Sequence, residues 1–110
     1  MAYTLHLHQT SVFCGLGTYT YTTKVAGLFS ASAVAIEVPT SGMLITINKN
    51  GSPVTASTPY TGAQEILSAY ASMVCAIADV ITIVVSSSTP TDPALNAVKI
   101  TASVNLIAGS

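Results

Sequence analysis

The chain has 110 residues, half of them hydrophobic and only 6% charged, with a formal net charge of −1. This length supports a single domain with one modest core. Three lysines and no arginine cannot neutralise a row of phosphates, which excludes nucleic-acid binding on a basic face. High apolar content with almost no net charge excludes intrinsic disorder.

Residues 1–13 (MAYTLHLHQTSVF) alternate polar and apolar side chains. They lack the positive start and continuous apolar run of a secretory signal. No window reaches the roughly 18 uninterrupted apolar residues of a membrane span. The best stretch, Met73 to Val85, is interrupted by Asp79 and Thr82. The expectation is a protein made and folded in a cytoplasm, outside any membrane. Cys14 and Cys75 should then be reduced thiols packed as small apolar side chains, with a single disulfide as the alternative.

From there the chain reads as strands and turns. Serine and threonine make up about a quarter of it, and threonine, valine and isoleucine favour extended backbone. In Gly17 to Val25, Tyr19, Tyr21, Thr23 and Val25 share one face, and Thr18, Thr20, Thr22 and Lys24 the other. Leu28 to Val38 sets Val34, Ile36 and Val38 against Ala33, Ala35 and Glu37. Met43 to Lys49 alternates in the same way. Asn50-Gly51 is the strongest hairpin signal, because a type I′ turn needs positive φ at both central residues. A short edge strand is predicted near Pro53 to Ser57 and a loop over Pro59 to Gly62. Ala63 to Cys75 fits two periods. Helical spacing groups Ile66, Leu67, Tyr70 and Met73, whereas period 2 separates Ile66, Tyr70 and Val74 from Leu67, Met73 and Cys75. We prefer the strand, since its surroundings are β and no helix cap precedes it. Ala76 to Asp79 is a turn. Val80 to Ser87 is nearly continuous and β-branched, as a central strand buried on both faces would be. Ser88 to Asn96 is the longest loop, and Ala97 to Ile107 closes the chain. About eight strands with regular turns predict an all-β fold, a two-sheet antiparallel sandwich or jelly roll.

No local pattern names a reaction, and the chain is expected not to be an enzyme. His6 and His8 would point to one face of a strand and are the only metal candidates, without a third ligand nearby. No cofactor is expected. Cys14 has no basic neighbour to activate it. No Gly-X-Ser-X-Gly elbow is present, and Gly15-Leu16-Gly17 lacks the third glycine of a phosphate loop. Tyr19 and Tyr21 are expected in the core or at a subunit contact. With Tyr3, Leu5 and Leu7 they form the set of interface candidates. Tyr60 and Asp92, both in loops, are the candidates for binding a ligand. The shortage of charge is itself a clue. A lone soluble protein is kept apart from its neighbours by surface charge, so a chain with so little is expected to bury surface against copies of itself or a larger scaffold.

Three segments resemble a known pattern. Val38 to Gly51 (VPTSGMLITINKNG) joins a Pro–Gly approach, an alternating strand and a Lys-Asn-Gly hairpin. Ala76 to Val85 (AIADVITIVV) places an acid at the opening of a strand, with Ala78-Asp79 where the pattern has Gly-Asp. Gly27-Leu28-Phe29-Ser30 is a glycine-then-aromatic strand entry. In this order they resemble the trimeric jelly rolls of the complement-head and tumour-necrosis-factor type over residues 25–107. The charge-poor, Ser/Thr/Ala/Val-rich composition resembles the small jelly-roll decoration and head-fibre proteins of tailed bacteriophages. That resemblance implies a structural virion protein made in the host cytoplasm. It would form a homotrimer, bind the major capsid protein on the outer face of the head and stabilise it. Residues 1–14 would be an extended anchor or swapped strand, and 15–110 the jelly-roll domain. The alternative implied by the same fold is a phage receptor-binding or lectin-like module recognising host glycans.

Overall fold

The computed structural model describes residues 2–36, 43–56, 66–87 and 98–109. These form nine strands: β1 (Ala2–Thr4), β2 (Thr10–Cys14), β3 (Gly17–Thr22), β4 (Gly27–Ile36), β5 (Met43–Lys49), β6 (Ser52–Ala56), β7 (Ile66–Cys75), β8 (Val80–Ser87) and β9 (Lys99–Gly109). One sheet has the order β1-β3-β8-β5-β6 and the other β2-β9-β4-β7. The antiparallel pairs β2/β9, β3/β8, β4/β7 and β5/β6 are nested, like one long hairpin folded over on itself. That nesting is the jelly-roll path expected from the strand spacing. The ninth strand is β1, which adds to β3 in parallel at one edge.

Expected and observed elements differ at their limits, and three segments are of consequence. Residues 2–14 are divided between the two sheets. β1 belongs to one sheet and β2 to the other, and Leu5–Gln9 crosses between them, with Leu5 N–H donating to the Thr20 carbonyl and His8 N–H to that of Val104. The ambiguous Ala63–Cys75 segment contains a strand, β7, paired with β4 over ten residues without a register shift. β8 is central but not buried on both faces: Ile81, Ile83 and Val85 are buried, while Thr82 and Val84 are half-buried on the outer side.

The core is a match of large against small. The five-stranded sheet turns Tyr19, Tyr21, Met43, Ile45, Ile47, Ile81, Ile83 and Val85 inward. The four-stranded sheet meets them with a floor of alanines: Ala31, Ala33 and Ala35 on β4, Ala69 and Ala71 on β7, and Ala102 on β9. Bulky residues facing small ones let two sheets interdigitate at the usual spacing of about 10 Å. At one side Tyr3, Phe13 and Tyr19 cluster, with ring centroids 4.3 to 5.2 Å apart and Phe13 stacked on Tyr19. Gly27 at the start of β4 is required by close approach, since a Cβ there would lie 2.5 Å from the Ala108 carbonyl oxygen.

The Asn50-Gly51 turn has the backbone its sequence predicts, with φ of 52° and 84°. Asn50 also does more than turn the chain. Its Nδ2 donates to Asp79 Oδ1 at 3.1 Å, and its Oδ1 accepts from Val80 N–H at 2.8 Å. Asp79 Oδ2 accepts from Ala76 N–H at 2.8 Å. Buried Thr23 donates to the Ala76 carbonyl at 2.6 Å and accepts from Asp79 N–H at 3.0 Å. Three turns at one end of the sandwich are thereby tied together by side chains from each.

Candidate functional site

The structure separates the residues singled out by the sequence. Leu5, Tyr19 and Tyr21 lie inside the protein's own core and offer a partner almost no surface. Each alternates with threonines or other polar residues, so period 2 buries it on folding. Tyr3 and Leu7 are half-buried against the same core. The five interface candidates therefore do not form an outer patch. Tyr60 and Asp92 lie outside the described residues.

His6 and His8 do not share a strand face. Leu7 and His8 form a turn, His8 has a φ of 61°, and Gln9 N–H donates to the His6 carbonyl at 3.2 Å. His8 Nδ1 lies 3.3 Å from Asn105 Oδ1. Among the described residues no three His, Cys, Asp or Glu side chains come together as a metal centre. Both cysteines are free, Cys75 buried and Cys14 exposed, the latter against the expectation of a packed thiol. In the register of the four-stranded sheet, Cys14 lies in the Ile36 row and Cys75 in the Gly27 row. Nine residues of strand, about 30 Å, separate those rows, so the two cannot bridge within one chain. Burial pushes the Cys75 thiol up, further from the reactive thiolate.

A cleft of about 480 Å³ opens where β1 ends beside β3. Leu5, Leu7, Tyr21 and Val25 supply its apolar wall, and Thr4, Thr20, Thr22, His6 and Lys24 its polar groups. Its volume is that of a small-ligand site, and no carboxylate or thiol lines it. The arrangement suits binding a molecule with an apolar body.

The broadest surfaces are the outer faces of the two sheets. The described strands contain two charged residues, Lys49 and Lys99. Lys49 turns to the side of the sandwich, where Nζ donates to the Val74 carbonyl at 2.7 Å and lies 3.8 Å from Asp79 Oδ2. Among the described residues Lys99 is thus the single charge on either outer face. The five-stranded face aligns Thr4, Thr20, Thr82 and Asn48 across neighbouring strands. The four-stranded face aligns Thr10, Ser103, Ser32 and Tyr70, with a hydroxyl contact of 3.0 Å between Ser32 and Ser103. Composition pointed to such neutrality, but not to its concentration on both broad faces.

No family model matches the sequence, and no curated protein matches it. Among solved structures, the pre-peptidase C-terminal domain of collagenase from Bacillus anthracis is similar, with a TM-score of 0.58 over 94% of each chain and 14% identity. At that identity the likeness establishes the β-sandwich fold alone.

Proposed function

We propose that this chain is a structural protein of a virus particle, a decoration protein that binds the outer face of a bacteriophage head and stabilises it. The observation that carries the reading is the pair of outer faces, which among the described residues have one charge between them. A dispersed monomer relies on surface charge for solubility, whereas a subunit held on a shell covers such faces against its neighbours. The nested strand order agrees with the jelly-roll resemblance of the sequence. Its action would be mechanical: burial across capsid subunits and neighbouring copies opposes internal pressure, without a cofactor or a reaction. Co-sedimentation of the purified protein with undecorated heads of the phage that encodes it tests this. Saturable binding, with heads that release DNA at a higher temperature, is the expected result. Heads that sediment without the protein would sink the reading.

The polar groups of the cleft beside β1, the three threonines with His6 and Lys24, favour a second reading, a binding module for host-surface glycans. Glycan-array binding that is lost in Lys24→Ala and in Tyr21→Ala would support it over the mechanical role.

A further inference from the structure

Among the described residues β7 is the longest sheet edge, and the charged group that meets it is Lys49, whose Nζ donates to the Val74 carbonyl near one end. The opposite sheet ends on that side in β6, which is five residues long and interrupted by Pro53 and a register shift. β1 has three residues and β2 five. β7 has ten, contains no charge, proline or bulge, and among the described residues no strand pairs with its outer side. Its outward residues include Ile66, Tyr70 and Val74, which are 54%, 61% and 69% exposed. A long, flat, apolar edge of this kind templates pairing with another strand.

The order of residues along the edge identifies the occupant. Read outward from Tyr70, β7 is close to a palindrome: Ala69 and Ala71, then Ser68 and Ser72, then Leu67 and Met73, then Ile66 and Val74. We propose that β7 pairs antiparallel with β7 of a second copy of this chain, about a two-fold axis at Tyr70, joining two four-stranded sheets into one of eight. In that register Tyr70 faces its own copy, Ser68 faces Ser72 and Ile66 faces Val74. On the inner face Ala69 meets Ala71 and Leu67 meets Met73. Each pair matches in size and polarity, as cross-strand neighbours do, and no like charges oppose each other. The contact is small beside a standard interface, so the dimer is one that dissociates on dilution. It differs from the trimer implied by the resemblance, and it does not rest on the capsid reading, since it concerns the free protein.

Two measurements test it. Light scattering should give a mass rising with concentration from 11.2 kDa towards twice that value. Tyr70→Lys, at an exposed position that leaves the core intact, should weaken association at least tenfold. A monomer up to about 1 mM, or a trimer, would overturn the proposal. Cross-linking tests the register in a Cys14→Ser background, which leaves only buried Cys75. Tyr70→Cys should form a covalent dimer on mild oxidation, because directly opposed residues lie within disulfide reach. Ser68→Cys alone should not, its copies lying roughly 14 Å apart, whereas Ser68→Cys with Ser72→Cys should. A dimer that cross-links through Ser68→Cys but not Tyr70→Cys would refute the two-fold at Tyr70.

Discussion

The turn end of the sandwich and the outer edge of β7 are adjacent, yet they are built on opposite principles. At the turn end, Thr23, Asn50 and Asp79 satisfy one another and the backbone of three turns. Along the edge, ten residues present hydroxyls, methyls and one phenol, and Lys49 caps a single carbonyl at Val74. In a chain with seven charged residues, polar side chains sit where turns must be held, and the faces are left neutral. The lesson is that low charge does not mean weak polar structure. It means that polar groups are placed where unpaired backbone would otherwise be costly.

The largest effect should come from breaking the turn lock. Thr23→Val removes both a donor and an acceptor at a buried position, and urea unfolding should show a loss of about 1–3 kcal/mol. Gly27→Ala, which forces β9 away from β4, should show a loss of similar size, about 1–3 kcal/mol.

The lock should also respond to acid. The amide of Asn50, then the Ala76 N–H and Lys49, hold the Asp79 carboxyl below its usual range. Its contribution is complete above the unfolded value near pH 3.8 and disappears as the pH falls through the lower folded value. The thermal midpoint of the wild type should therefore drop below pH 4 more steeply than that of Asp79→Asn. At the other extreme, burial pushes the Tyr19 phenol up to about 12, with Tyr3 and Cys14 adding to the effect. The stability it confers is present below its ordinary value of 10.0 and is lost as the pH rises through about 12. Tyr19→Phe should flatten that alkaline limb.

Smaller effects sharpen the contrast. Ala78 holds a φ of 72°, where a Cβ is strained, so Ala78→Gly should raise stability by up to about 1 kcal/mol. Charges placed on exposed edge positions, Val54→Lys on β6 or Ser68→Lys on β7, should change monomer stability by no more than about 0.5 kcal/mol. Only the β7 change should lower the mass seen by light scattering. A fall in both would show that the two edges are not different in kind.

Much of the fold was readable in order along the chain. Alternation located β3, β4, β5 and β9 to within a few residues, because one sheet face is buried and period 2 marks it directly. Asn50-Gly51 gave away its turn through φ preference alone. The Ala63–Cys75 segment was harder, since its inward residues include small alanines that fit a helix as well as a strand. Only the large side chains of the opposing sheet explain why alanine belongs there. The histidines were misplaced for a related reason. Alternation over residues 1–13 resembles one strand, but the chain breaks at Leu7–His8 to pass from one sheet to the other.

By itself, then, the sequence determined the all-β class, the strand positions and the near absence of charge. These are local or compositional properties, set by side-chain period, turn chemistry and the count of ionisable groups. Tertiary structure decided which strands became edges, that β1 and β2 went to different sheets, and that Thr23, Asn50 and Asp79 met across 56 residues of chain. Those outcomes depend on contacts between distant segments, which no local pattern encodes.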